Sequence, residues 1–337
     1  MSESAPQLSV VIPTHNRLPE LRRCLDALAQ QDFPNDCMEV VVVADGCTDG
    51  TVEALSQATF AFPLRLITQS PRGAAAARNR GAREASGTIL LFLDDDVIAT
   101  ATLISEHNKR HADGGERVVI GPYLPNPPTN SDYTRQQLYL FWRQLFDTMA
   151  EPNHKPSYRD VVSGNLSMSA DTFERIGGFD EAFPSCGMED YELGIRLLEN
   201  GIELTYAPDA GAEHLDTTDM RRSLQRKYRE GSGTITLVSR HPAALRTTAL
   251  IHRAGLGQRL AFRWPRVSRA IQGGSPLLLD LTSALRLRPV WIRLNSYISD
   301  LAFWQGVRDE VGGEEAFVAL VKTLEQQAQS YADQSDC

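Results

Sequence analysis

Four short runs of β-branched and apolar residues open the chain: LSVVIP (Leu8–Pro13), EVVVVA (Glu39–Ala44), LRLIT (Leu64–Thr68) and TILLFL (Thr88–Leu93). Each is too short for a helix and is bounded by turn residues or charges, the mark of a buried strand. The segments between them have helical character. Leu18, Leu21, Leu25 and Leu28 fall at i, i+3, i+7 and i+10, one stripe of an amphipathic helix. In DGCTDGT, Asp49 is placed to cap a helix running through Leu55, and AAAARNRGAREA (Ala74–Ala85) is helical by propensity. Strand and helix alternating in this way predict an α/β fold, a doubly wound, mainly parallel sheet flanked by helices. Ligands of such sheets bind beyond the carboxyl ends of the strands. Pro13, Thr14, His15 and Asn16, then Asp45, then Asp94, Asp95 and Asp96 all stand at such ends.

The second half is less regular. Residues 122–136 read as a loop, Gln136–Met149 as a helix, and the region near Val161 as a strand. ADTFERIGGFD reads as a short helix ended by Gly177 and Gly178. Met188–Gly201 is a helix with acids in its first turn, and IELTYAP (Ile202–Pro208) is a strand. From about Thr217 the chain reads as helices with loops. This divides it into an α/β domain over 1–216 and a mainly helical C-terminal region over 217–337.

The triplet Asp94–Asp96 follows a strand in LLFLDDDVIA. Two readings stand. The aspartates cap and charge the first turn of a helix starting near Thr100, or they hold a cation. One acid suffices for a cap, and carboxylate oxygens suit hard Mg²⁺ or Mn²⁺, which usually completes its shell with substrate phosphates. Other phosphate-binding classes fit poorly. THNR, not a glycine-rich turn, follows the first strand, which excludes a dinucleotide fingerprint, and no Walker A motif is present. An aspartyl-nucleophile phosphatase would carry its acids after the first strand rather than the fourth.

VVIPTHNR, VVVADGCTDGT, GAAAARNRGAREASGTILLFLDDD, SGNLSMSADTFERIGGFDE and GMEDYELGIRL, in this order, resemble the family-2 glycosyltransferases of GT-A fold over roughly Leu8 to Asp216. The resemblance implies a metal-dependent inverting transferase that moves a sugar from a nucleotide-diphosphate donor to a hydroxyl acceptor. It implies donor contacts at Pro13, Thr14, His15 and Asn16. By its motifs LDDD matches the DXD element, with Asp96 as metal ligand and Asp94 and Asp95 near the ribose and diphosphate, Asp94 also beside the metal. His214 in GAEHLD completes the metal site, which with an imidazole favours Mn²⁺ over Mg²⁺. Asp45 resembles the aspartate that reads a base imide N–H, as in a UDP or dTDP donor. Arg78 matches the helix before the DXD strand, where it counters phosphate charge; its bland alternative is a solvated helix arginine. Asp190 resembles the general base, with Glu189 as rival. Two departures are visible: Ala44–Asp45 stands where many relatives carry two acids, and His15 stands where a tyrosine is common. A nucleotidyltransferase and an inactive sugar-nucleotide-binding protein are the competing readings.

Charge and cysteine usage bear on partners and location. Five cysteines, Cys24, Cys37, Cys47, Cys186 and Cys337, are spread without a CxxC pair, which predicts reduced thiols in a cytoplasm. No basic region precedes the first apolar run, and no apolar stretch approaches the roughly 20 residues of a membrane span. Between Arg221 and Asn295 stand fifteen Arg or Lys against Glu230 and Asp280, a local excess of +13; with a net charge of −9, the rest carries −22. Leu256, Leu260, Phe262, Trp264, Trp291 and Ile292 are interleaved with those cations. This segment is expected either to pack on the acidic domain or to lie on an anionic membrane at its inner face. Nucleic acid is not an expected partner of so acidic a remainder; a homo-oligomer is compatible with it.

Overall fold

The structure is a computed structural model that describes residues 6–128, 132–183, 188–248, 250 and 256–335. Cys186, Gly187, Arg253 and Cys337 lie outside these, as do the side chains of Arg246, Leu256 and Arg259. The chain divides into two compact units, the first comprising 1–127 and 138–217, the second 128–137 and 218–337.

In the first unit, β1 (Leu8–Thr14), β2 (Met38–Asp45), β3 (Leu64–Gln69) and β4 (Ile89–Leu93) are the four strands read from the sequence. They alternate with α1 (Leu18–Leu28), α2 (Thr51–Gln57) and α3 (Ala74–Glu84). β1 pairs in parallel with both β2 and β4, and β2 with β3. The sheet is extended by β6 (Arg117–Ile120), β8 (Asn165–Ser169) and β9 (Glu203–Tyr206) into seven strands ordered β3-β2-β1-β4-β8-β6-β9. β8 alone runs antiparallel, against β4 and β6. The central strands are buried on both faces, β2 along its whole length, because helices cover a parallel sheet on either side. Leu21, Cys24, Leu25 and Leu28 turn one face of α1 into that core. Asp49 does more than cap one helix. Its Oδ1 accepts from the Thr51 N–H at 3.2 Å at the start of α2, and its Oδ2 from the Leu18 N–H at 3.0 Å at the start of α1.

The region after the aspartates departs from expectation. Val97–Ala99 is a strand, β5, and the helix expected near Thr100 begins at Leu103 as α4 (Leu103–Arg110). The aspartates therefore cap no helix. β5 belongs to a second sheet ordered β5-β10-β7, with β7 (Tyr123–Pro125) and β10 (Ala212–His214). β7 lies within the stretch expected to be loop, and α5 (Tyr133–Met149) starts three residues earlier than its periodicity predicts. The strand expected near Val161 is a single 3₁₀ turn, Tyr158–Asp160, and the strand itself begins at Asn165. α6 (Ala170–Ile176) ends on left-handed Gly177, and α7 (Glu189–Glu199) follows as expected.

The second unit is helical: α8 (Met220–Arg240), α9 (Leu256–Arg263), α10 (Pro265–Ala284), α11 (Arg288–Val311) and α12 (Glu314–Ser335). Trp304 is fully buried at the centre of one cluster, edge-on to Phe303 and Phe317. α8 and α11 approach so closely that two glycines meet backbone. A Cβ on Gly231 would lie 2.0 Å from the Phe303 carbonyl oxygen, and one on Gly306 1.9 Å from that of Tyr228.

Alanine normally favours a helix by about 1 kcal/mol over glycine, but a methyl facing a rigid carbonyl must spread the helices. Gly306→Ala is expected to lower stability by about 1–3 kcal/mol, the usual range for overpacking. Gly273→Ala, on α10 with nothing within 4 Å of the added carbon, should leave stability equal or higher. Urea titration followed by tryptophan fluorescence distinguishes the two; equal effects would refute the close-contact account.

Candidate active site

The carboxyl ends of β1, β2 and β4 lie side by side because those strands are neighbours in register: Thr14 is opposite Ala44, and Val11 opposite Phe92. The residues expected at the site therefore gather on one edge of the sheet. The three adjacent aspartates meet different sets of partners, although Asp95 and Asp96 share Arg17.

Asp94 receives Arg78 Nη2 at 2.7 Å. Arg78 projects from α3, is 4% exposed, and places its Nη1 3.4 Å from Glu189 Oε1 at the start of α7. One guanidinium thus ties the end of β4 to the N-terminus of α7, and it lies 5.4 Å from the centre of the Phe179 ring. It is not a solvated helix arginine. Gly164 makes the Asp94 approach possible, since a Cβ there would meet the Tyr123 ring at 2.7 Å and Asp94 Oδ2 at 3.0 Å. The Asp94 N–H bonds the Gly164 carbonyl at 3.2 Å.

Asp95 points inward. Its Oδ2 accepts from Thr14 Oγ1 at 2.7 Å, and Arg17 Nε is 3.5 Å from its Oδ1. Burial pushes its pKa to about 7 against the counter-pull of Arg17. Asp96 Oδ2 takes Arg17 Nη2 at 2.6 Å and His214 Nε2 at 3.3 Å. Burial alone would raise Asp96, yet His214 and Arg17 hold it below the usual carboxylate value. His214 shows the mirror effect: burial disfavours its charged form, but Asp96 outweighs that and raises it. The small second sheet makes this meeting, because β10 pairs His214 with Val97 of β5 and the Leu215 N–H bonds the Asp96 carbonyl at 2.8 Å. Tyr123 and Trp142 stand edge-on to the imidazole, at 5.5 and 5.8 Å between ring centres.

Asp190 sits beside Glu189 on α7 but differs from it. Glu189 is 1% exposed and faces Arg78. Asp190 accepts the Ser163 N–H on Oδ2 at 3.2 Å, while its buried Oδ1 has no hydrogen-bond partner among the described residues. Burial raises its pKa, with Arg78 and Ser163 opposing. Asp45 is held differently again. Its Oδ1 accepts from Gln69 Nε2 and the Arg72 N–H, both at 2.8 Å, and its Oδ2 from the Gly73 N–H at 2.8 Å. His15 Nδ1 lies 2.5 Å from the Asp45 carbonyl, and Asn16, in left-handed backbone, accepts the Thr48 N–H at 2.7 Å. Asn79 pins the turn after α6, bonding Phe179 through both its amide groups and Glu181 at 3.0 Å.

Asp96 and His214 therefore come together, whereas Asp94 is engaged by Arg78. Among the described residues no three His, Cys, Asp or Glu converge as a ready cation cage. The pair still fits a hard divalent ion that draws further ligands from phosphate oxygens, and His214 Nδ1 is a buried nitrogen without a hydrogen-bond partner among the described residues. Arg17, which sequence reasoning did not single out, occupies the Asp96 oxygen that such an ion would share.

Residues 9–177 match the model for glycosyl transferase family 2. The chain belongs to this family. Residues 143–220 also match the model described as the N-terminal domain of galactosyltransferase. A validoxylamine A glucosyltransferase of Streptomyces hygroscopicus subsp. jinggangensis is 34% identical over 61% of this chain and 54% of its own length; the chain thus spans about half of that relative. Glycosyltransferase AglE of Haloferax volcanii is 30% identical over 70% of this chain and 75% of its own. Among solved structures, the mannosyltransferase PcManGT from Pyrobaculum calidifontis, in complex with GDP-Man and Mn²⁺, aligns over 90% of this chain and 87% of its own with a TM-score of 0.58 at 21% identity. S. aureus TarS 1–349 in complex with UDP aligns over 91% and 92% with a TM-score of 0.53 at 15% identity. These likenesses are of fold, and they agree with the GT-A type sheet and C-terminal helices expected.

Replacing Arg78 with Met should remove the cation that the buried Glu189 carboxylate shares with Asp94. Removing one partner of a buried ion pair costs about 3–5 kcal/mol, and the part-exposed Asp94 brings the expectation to the lower end. The double variant Arg78→Met/Glu189→Gln should recover part of the loss, read by chemical denaturation as a double-mutant cycle. Strict additivity would remove Arg78 as the tie between β4 and α7.

Proposed function

We propose that this protein is an inverting, metal-dependent glycosyltransferase that moves a hexosyl group from UDP- or dTDP-sugar to a hydroxyl of a sugar, lipid-linked or small-molecule acceptor. The observation that supports the reading is the Arg78 tie, which joins Asp94 at the end of β4 to Glu189, the neighbour of Asp190 at the start of α7. The names of the relatives, glucosyltransferases among them, support a hexose donor.

Asp190 serves as general base. An acceptor hydroxyl attacking the anomeric carbon must lose its proton as the nucleotide departs. A carboxylate with a pKa raised toward working pH accepts it well. Glu189 is the weaker candidate because its charge is already turned to Arg78. Asp45 reads the base. Its Oδ1 is saturated by two donors, and one lone pair remains on Oδ2. That accepts the single imide N–H of uracil or thymine, whereas a guanine edge presenting two donors asks for both oxygens. Pro13, Thr14, His15 and Asn16 line the same edge for the nucleoside, and Arg78 and Arg17 offer positive charge to the diphosphate as Asp94 and Asp95 flank it. Asp96 and His214 would hold Mn²⁺ or Mg²⁺. When bound, that ion stabilises negative charge on the departing diphosphate. Arg17 must swing off Asp96 for this, which frees its guanidinium for a phosphate. The first unit carries donor binding and catalysis, and the helices of the second serve the acceptor.

Asp190→Asn is expected to bind UDP with Mn²⁺ as the unaltered protein does and to lose roughly 10²–10⁴-fold in UDP release from UDP-glucose, the usual worth of a positioned base. In thermal shift, UDP and dTDP should raise the melting temperature with Mn²⁺ present and GDP should not. Full turnover by Asp190→Asn with Glu189→Gln inactive would transfer the role to Glu189. A larger shift with GDP would overturn the reading of Asp45.

A further inference from the structure

A helix on a protein surface normally turns its polar side to water and its apolar side to the core. Within the second unit, α10 departs from this. Ser268, Ser275 and Thr282 are buried along it, with Pro276 and Leu279. Their hydroxyls are satisfied internally: Ser268 accepts from Gln305 Nε2, Ser275 donates to the Gln272 carbonyl at 2.8 Å, and Thr282 to that of Leu279 at 2.9 Å. Along α10 the exposed large apolar residues include Trp264 just before the helix, Val267, Ile271, Leu278, Leu281 and Leu285 just after it, beside exposed Arg266, Arg269 and Asp280. They recur at helical spacing along one side, so they form a single stripe about 30 Å long at 1.5 Å per residue. Leu277, beside the stripe, is 78% exposed. Scattered apolar residues are ordinary on a surface, but a stripe of this length, interrupted by Gly273 and Gly274, marks an interaction site.

The charges beside it identify the partner. Arg263, Arg266, Arg286, Arg288 and Arg293 are exposed along or next to the same helix and the start of α11. Asp280 is the only carboxylate between positions 256 and 299. A second copy docking through the same face would bring two sets of arginines together with one aspartate apiece to offset them. A nucleic acid would meet the arginines but leave the leucines in water. An anionic lipid surface satisfies both, taking apolar side chains at the headgroup boundary and arginines at the phosphates. No helix among the described residues is long and apolar enough to cross a membrane, so the contact lies along the surface.

We propose that α10 and the start of α11, residues 264–293, form a docking face for an anionic lipid surface. This inference stands independently of the sugar donor and of the base. The full chain is sedimented with vesicles of phosphatidylcholine alone and of phosphatidylcholine with phosphatidylglycerol, at low and high salt. Binding is expected only to the vesicles with phosphatidylglycerol, falling about tenfold or more at high salt as screened charge requires. Leu278→Glu/Leu281→Glu should abolish it with an unchanged melting temperature, because both side chains are exposed, at 45% and 53%. Equal or negligible binding to the two vesicle types overturns the proposal, as does binding that the double variant leaves intact. A dimer seen by light scattering that the same variant dissociates would make the face a self-association seam instead.

Discussion

The geometry of the sheet edge hangs on one buried cation. Arg78 lies on a helix that packs against β1 and β2, and it meets carboxylates from two other elements, Asp94 after β4 and Glu189 at the start of α7. Burying Arg78 and Glu189 is costly unless they compensate one another, and the part-exposed Asp94 shares the same cation. Here the guanidinium's fork of donors serves both acids, as a lysine's compact charge would not. Its neighbour Asn79 works the other way along the chain, fastening the Phe179–Glu181 turn. Consecutive residues of α3 thus fix both sides of the approach to α7. The proposed base inherits its position from that frame, although Arg78 makes no hydrogen bond to Asp190 among those described.

The same logic resolves the repulsion within Asp94–Asp96. Three carboxylates in sequence are unfavourable only if they share surroundings. The strand end splays them apart: one onto Arg78, one inward to Thr14, one onto Arg17 and His214. Burial without full compensation leaves Asp95 with a pKa near 7, while Asp96, with two cationic partners, is held low. Equivalent letters in the sequence become inequivalent acids.

The parallel core was legible because its signals are local: β-branched runs, a leucine stripe and an alanine-rich helix each state their own structure. The aspartates and the Glu189–Asp190 pair were legible as motifs. The small second sheet was not, since Val97–Ala99 and Ala212–His214 are three-residue strands whose pairing spans more than a hundred positions. That pairing brings His214 to Asp96, and local pattern carries no trace of it. Arg17 was overlooked for a related reason. An arginine after a strand looks solvated, and only its closeness to Asp95 and to Asp96, the latter 79 positions on, gives it a part. His107 is a further case: it is fully buried between Ser167 and Asn165, and burial drives its pKa to about 4. The basic segment was visible as composition, but the inverted face of α10 required knowing which side of the helix is covered.

Charge segregation poses a problem for the donor as well as for the membrane. Outside 221–295 the chain carries −22, and a nucleotide diphosphate is itself an anion. The protein's general field therefore opposes binding, and attraction must come from a local reversal of sign. The sheet edge supplies the elements of one. Arg17 and Arg78 stand among the aspartates, and the Arg72 N–H closes on Asp45 while its guanidinium pairs with Glu181 at 2.7 Å. All three cations are already paired with acids. A divalent ion held by Asp96 would take the place of Arg17 on that carboxylate, adding its own charge and leaving the guanidinium to face a phosphate. Metal and donor are thus expected to bind with positive cooperativity, each weak without the other, because the site is close to electrically balanced until both arrive.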